Sequence, residues 1–193
     1  ADLIIANNVY AHVPDINDFT LGIKNLLADT GVVTIEFPHL LNLIEKMQFD
    51  TIYHEHFSYL SLFTVCEIFS NAGLKVWNVE ELETHGGSLR IYGCHSEKTR
   101  TVKPSVTRLL QRESEFGLQD LSVYGHFQTH AEKIKNELLK FLIRQKEANK
   151  TVVGYGAAAK GNTLLNYAGI KSDFISAVFD ASHSKQNKFL PGS

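Results

Sequence analysis

The sequence predicts an α/β fold, on three observations. A short apolar strand, an amphipathic helix and a second strand follow one another up to Phe37, the order of a parallel α/β sheet. A polar, charged stretch with helical periodicity runs from about residue 97 to residue 150. A strand, a glycine-rich turn, a helix and a further strand come after it, so a second α/β unit begins near Lys150.

Taken in order, Leu3–Ala6 is a short apolar strand, read as buried, that ends in polar Asn7-Asn8. Asp15 or Asn17 can cap a helix running to about Ala28, with Phe19, Ile23, Leu26 and Leu27 at helical spacing. Thr30-Gly31 ends it, and Val32–Phe37 is a second strand stopped by Pro38. Leu62–Asn71 reads as a helix closed by Gly73. Leu74–Leu82 and Ser88–Cys94 are strands whose short link, Glu83–Gly87, favours antiparallel pairing. In the charged stretch the periodicity is strongest over Phe127–Gln145. Ile134, Leu138, Phe141 and Leu142 share one face there, with Glu132, Lys133, Lys135 and Glu137 off it. Thr151–Val153 opens the next strand. A helix over about Asn162–Ala168 and a strand Phe174–Phe179, ending at Asp180, complete a βαβ unit. The expected parts are therefore 1–97, a helical connector at 98–149, and 150–193. The chain opens inside a strand without a methionine and stops after a strand and a loop, as a piece of a longer protein would.

Composition narrows the function. Among 193 residues, 19 Lys and Arg against 21 Asp and Glu give a formal charge of −2. No basic excess points to nucleic acid or to an anionic membrane. No apolar run approaches the ~20 residues of a spanning helix, and the start is not a basic signal peptide. Two cysteines, Cys66 and Cys94, are too few for a disulfide scaffold or a cysteine zinc site. The expected compartment is the reducing cytoplasm.

The richest chemistry lies in Tyr53-His54-Glu55-His56, followed by Phe57-Ser58-Tyr59. Histidine titrates near neutrality, and a neighbouring carboxylate can orient it as a base. The apolar and aromatic flanks suggest partial shielding from water. Proton transfer competes with two other readings: a polar loop over the sheet, and a zinc pair. The two-residue spacing of His54 and His56 fits helical metal pairs poorly. The segment comes about fifteen residues after the second strand, so it can fold over the carboxyl edge of the sheet, where open α/β sheets bind ligands. Asn8 and His12 follow the first strand at that same edge, as ligand contacts or as turn formers. Glu36 ends the second strand there, as a ligand contact or a solvated strand end. His85-Gly86-Gly87 with nearby Arg90 can form an anion-holding turn or a plain hairpin turn. Gly154, Gly156 and Ala159 fit a G-x-G-x-x-A phosphate turn, Lys160 adds charge, and Asp180 stands where a ribose-binding acid would lie.

The combination resembles the sugar-nucleotide C-methyltransferase family. The likeness rests on Tyr53–Tyr59, on Asn8 and His12, on Thr84–Arg90, on Gly154–Asn166, and on Asp180, Lys185-Gln186 and Pro191-Gly192. It implies a fold made of the C-terminal half of a Rossmann-like methyltransferase domain, a helical connector and the start of a second Rossmann-like βαβ domain. It also implies transfer of a methyl group from S-adenosylmethionine to carbon 3 of a nucleotide-linked 4-keto-deoxysugar, dTDP being the expected nucleotide. The resemblance puts the family's zinc in an N-terminal domain, and the glycine-rich cofactor loop and a further catalytic tyrosine in the first half of the methyltransferase domain, both expected outside this chain. A piece of this extent would keep most proton-transfer groups and lose much of the cofactor site. The resemblance assigns His56 as base with Glu55 behind it, and Tyr53, Asn8 and His12 to the sugar or its enolate oxygen. It assigns His85, Gly86, Gly87, Arg90, Gly154, Gly156, Lys160, Asn162 and Asp180 to the nucleotide-sugar. The alternatives are an NAD(P)-binding oxidoreductase or dinucleotide-sensing module, and a non-catalytic sugar-nucleotide binder.

Overall fold

The structure, a computed structural model, describes residues 1–192. It divides into two compact units, one of residues 1–48 and 54–125, the other of residues 49–53 and 126 onward. The charged stretch expected as a connector is shared between them.

In the first unit β1 (Leu3–Asn7) runs parallel to β2 (Val32–Pro38). The hairpin of β3 (Leu74–Leu82) and β4 (Ser88–His95) adds with β4 inside, antiparallel to both neighbours, giving the order β1-β2-β4-β3. The central strands show the period of two that a buried sheet face demands: Val33, Ile35 and Phe37 on β2 and Leu89 and Ile91 on β4 are fully buried. The expectation of a buried first strand is corrected. β1 is an edge strand, with Leu3 56 % and Ile5 63 % exposed, and only Ala6 buried.

Helix α1 (Ile16–Leu26) is capped by Asp15, whose carboxylate accepts from the amides of Asn17 (3.1 Å) and Asp18 (2.9 Å). Asp15 and not Asn17 is therefore the cap. Ile23 and Leu27 face the core, whereas Leu26 turns outward and the helix stops short of Thr30. Helix α2 (Leu40–Glu45) was not anticipated; it follows directly on Pro38 and His39 and buries Leu41, Asn42 and Leu43. Helix α3 (Leu62–Asn71) has the expected bounds, with Ser61 as cap and Gly73 in the left-handed region at φ +76°. Helix α4 (Pro104–Phe116) lies in this unit and sends Val106 and Leu109 into its core.

Two buried polar residues organise that core. The Tyr10 ring lies 6.0, 6.3 and 6.5 Å from those of Phe19, Phe37 and Phe69, and its hydroxyl donates to Thr20 Oγ1 at 2.7 Å, which in turn donates to the Ile16 carbonyl. Glu113, 2 % exposed, accepts from His39 Nε2 (2.7 Å) and from the amides of Leu62 (2.7 Å) and Phe63 (2.9 Å). One carboxylate thus joins the end of β2, the start of α3 and the body of α4.

In the second unit, α5 (Phe127–Glu147) and α6 (Ala159–Ala168) pack Leu138, Leu142, Leu165, Ala168 and Ile170 together with Val152, Phe174 and Ile175. Strands β5 (Gly154–Tyr155) and β6 (Val178–Phe179) pair in parallel across α6. The strand expected to open at Thr151–Val153 lies instead at Gly154–Tyr155, in the expected turn, and β6 keeps only the end of the expected Phe174–Phe179; Val152, Phe174 and Ile175 pack in the helical core. Phe141, expected on the buried face of α5, is exposed. No helix among the described residues is long and apolar enough to cross a membrane.

Two outcomes are expected. Glu113→Ala leaves His39 and two helix amides buried without their acceptor and costs about 3–5 kcal/mol, read as a lower denaturant midpoint. Burial pushes the Tyr10 hydroxyl up to about 12, against roughly 10 in the unfolded chain. The neutral form is therefore favoured by folding, and its contribution is complete below pH 10. It is lost as pH rises from 10 to 12, about 2–3 kcal/mol in all. In Tyr10→Phe, stability starts lower but falls less steeply over that window in denaturant titrations.

Candidate active site

The carboxyl ends of β1 and β2 carry the candidate groups. At the end of β1, Asn8 enters the left-handed region (φ +54°), and its amide donates to the Glu36 carbonyl at 2.9 Å. A single 3-10 turn, Tyr10–His12, follows, fixed by the buried Tyr10 ring. The carbonyl of Ala11 in that turn accepts from Phe57 N (2.9 Å) and Ser58 N (3.2 Å). The histidine-rich segment is thereby laid against the turn, and the rings of His12 and His56 meet edge to face with centroids 4.7 Å apart. Tyr59 stands on another side of His56, 6.0 Å between centroids and perpendicular. On its far side the segment is held by Leu40 N donating to Leu60 O at 2.9 Å.

His12, His56 and Tyr59 are half-buried. His54, Glu55 and Phe57 are exposed, so the expected shielding covers part of the cluster only. Tyr53 falls in the second unit, with residues 49–53. The arrangement places one imidazole in ring contact with another at a sheet edge, each half-open to solvent.

The turn between β3 and β4 stands at the same edge. His85, Gly86 and Gly87 all have positive φ, at +54°, +86° and +124°. The Gly87 amide is taken by Thr84 O at 2.9 Å, and the Gly86 carbonyl accepts from Lys46 Nζ and Gln48 Nε2, both at 2.9 Å. His85 is exposed. Arg90 Nη2 donates to Glu36 Oε2 at 2.9 Å, and its other end lies 3.9 Å from Glu80. Thr84 Oγ1 donates to Glu36 Oε1 at 3.1 Å. Glu36, 5 % exposed, is thus a buried acceptor, neither of the roles its place in the sequence offered.

In the second unit Gly156 has φ +95°. Asp180 turns back onto this turn: one carboxylate oxygen accepts from Ala157 N (2.7 Å), the other from Ser182 N (2.8 Å), and Lys185 Nζ is 3.5 Å away. The amide hydrogen bonds from Ser182 and Ala157 hold its carboxyl below the usual range. Beside it lies a cavity of about 480 Å³ lined by Ala157, Asn162, Lys171, Lys185, Lys188 and Phe189, among others. Asn162 Oδ1 is buried, with no partner among the described residues. Lys171 and Lys188 carried no recognisable signal in the sequence; they meet at the cavity through the packing of the last residues on α6, where Asn166 donates to Pro191 O at 2.9 Å.

Comparison with known proteins adds three findings. Residues 83–193 match the model of the C-methyltransferase C-terminal domain. Residues 1–79 match the model of a methyltransferase domain. The chain is 36 % identical over 193 residues to C-methyltransferase NovU of Streptomyces niveus; this covers all of the chain and 46 % of that relative, so the chain spans about half its length.

The turn geometry predicts a contrast between two glycines. In Gly87→Ala the new Cβ would stand 2.6 Å from Asn42 Nδ2 at a φ of +124°, so the turn must shift, and a loss of about 2–3 kcal/mol is expected. In Gly156→Ala the φ is also positive but nothing lies within 4 Å, and about 1 kcal/mol is expected. Thermal melts of the two variants give the order.

Proposed function

This chain belongs to the C-methyltransferase family, and from that we propose that it is part of an S-adenosylmethionine-dependent enzyme methylating carbon 3 of a nucleotide-linked 4-keto-deoxysugar. The observation that carries the reading is the ring contact of His12 with His56 at the carboxyl edge of the sheet. A proton next to a ketone is acidic enough for an imidazole to remove. His56 takes that proton from carbon 3, with Glu55 assisting it. Asn8 and His12 steady the negative oxygen that develops, as positioned donors do. By family likeness Tyr53 is assigned to the sugar.

The exposed end of β1 fits one face of the cofactor. Asn7, Asn8 and Val9 offer amide groups beside an apolar side chain, and no Lys or Arg lies between Asn7 and His12 to oppose a sulfonium charge. When bound, S-adenosylmethionine supplies the electrophilic methyl group. The second unit is read as a Rossmann-like nucleotide-holding βαβ unit. Its three cavity lysines suit a diphosphate, and the unpartnered Asn162 Oδ1 suits a donor on the ligand. Gly154, Gly156 and Lys160 frame the same turn. An NAD(P) site is the weaker reading, because both oxygens of Asp180 already serve backbone amides instead of facing a ribose. A cytoplasmic location and a dTDP-linked substrate complete the proposal.

The test is His56→Ala in the full-length protein, assayed for methyl transfer to a dTDP-4-keto-deoxysugar. Turnover is expected to fall about 10²–10⁴-fold, with the circular-dichroism spectrum unchanged. Near-normal turnover would remove His56 from the role of base.

A further inference from the structure

We propose that Glu36 and Arg90 form one positioning unit for the site, and that Arg90 acts through Glu36 instead of binding the anionic end of a ligand. Glu36 makes three links at the carboxyl edge of the sheet. Its carbonyl receives the amide of Asn8, and its two carboxylate oxygens receive Arg90 Nη2 and Thr84 Oγ1 at 2.9 and 3.1 Å. Both segments it ties down are in backbone conformations that side-chain-bearing residues seldom adopt, φ +54° at Asn8 and at His85. Such conformations persist only where the surroundings over-determine them. Glu36 is the residue those two segments share.

Burial makes the pair interdependent. A carboxylate 5 % exposed needs its lone pairs taken up by donors. Arg90 supplies a charged donor, and Glu80 at 3.9 Å draws on its other nitrogen. If Arg90 turned its Nη2 from Glu36 to a phosphate, the buried carboxylate would lose its closest cation. Its role is therefore to hold the Glu36 carboxylate in place, and through it the Thr84–Gly87 turn beside the segment that the Glu36 carbonyl ties at Asn8.

The inference rests on the proposed reaction for its kinetic readout but not for its structural one. In the full-length protein, Glu36→Gln and Arg90→Met are each expected to lower kcat for methyl transfer about 10–100-fold, as displaced positioning groups do. The double variant falls no further, because the two side chains act as a unit. The dissociation constant for dTDP, measured calorimetrically, stays within about twofold of the parent in all three. A loss of dTDP affinity above tenfold in Arg90→Met, or a double variant as slow as the product of the singles, overturns the proposal. Thr84→Val, at an exposed position, removes one link without touching the Glu36–Arg90 pair. Hydrogen exchange at the Gly87 amide is expected to quicken more than tenfold in it and in Glu36→Gln, and unchanged exchange in both also overturns the proposal. If the parent protein itself fails to methylate the sugar, the proposed function fails, while the exchange measurement still decides the role of Glu36.

Discussion

The carboxylate of Glu113 is the constraint on which the first unit depends. A buried carboxylate is costly unless its lone pairs are used, and Glu113 uses them on His39 and on the first two amides of α3. Those amides are among the donors a helix start leaves unsatisfied, and the partial positive charge of the helix N-terminus adds to the attraction. The same contact solves three problems at once. It gives a buried imidazole nitrogen its partner, caps α3 together with Ser61, and fixes α4 to the end of β2.

From that junction the candidate site inherits its position. His39 ends β2, Leu40 holds the Leu60 carbonyl, and Leu60 closes the histidine-rich segment. At the other end of the segment the Ala11 carbonyl holds Phe57 and Ser58, and Ala11 is itself set by the buried ring of Tyr10. Backbone bonds thus bear the positioning of the segment at both of its ends. Placement by main chain and by neighbouring buried side chains is what a proton-transfer group requires, since a base that also held the fold could not change charge without cost.

The local parts of this design were legible in the sequence. Gly73 closes its helix and Asp15, one of two candidates, caps its own by short-range rules, the Glu83–Gly87 link implied a hairpin, and Gly156 takes the positive φ that a glycine-rich turn needs. The histidine-rich segment and the strand ends were correctly placed at one edge by counting along a sheet. What could not be read was the pairing of distant polar residues. Glu113 looks like any surface glutamate of an amphipathic helix, and its partners lie 50 to 74 residues away. Glu36 offered a choice between ligand contact and solvated end because nothing local told that Arg90 and Thr84 would close over it. The exposure of β1 was hidden for a related reason: apolar content predicts a strand, but the order of strands in the sheet decides which one forms the edge.

Asp180 shows how far a motif can be carried. A glycine-rich turn followed by an acid at the next strand end has the form of a dinucleotide site. The glycine rule concerns backbone freedom, and it holds at Gly156 whatever the ligand. The acid rule concerns a side chain that must be free to meet a ribose, and here that side chain spends both oxygens on the amides of Ala157 and Ser182. Asp180 therefore secures the turn from within, beside the cavity that Lys171, Lys185, Lys188 and Asn162 line. The same half of a fingerprint can thus be structural in one fold and ligand-binding in another. Only the hydrogen bonds of the acid distinguish the two.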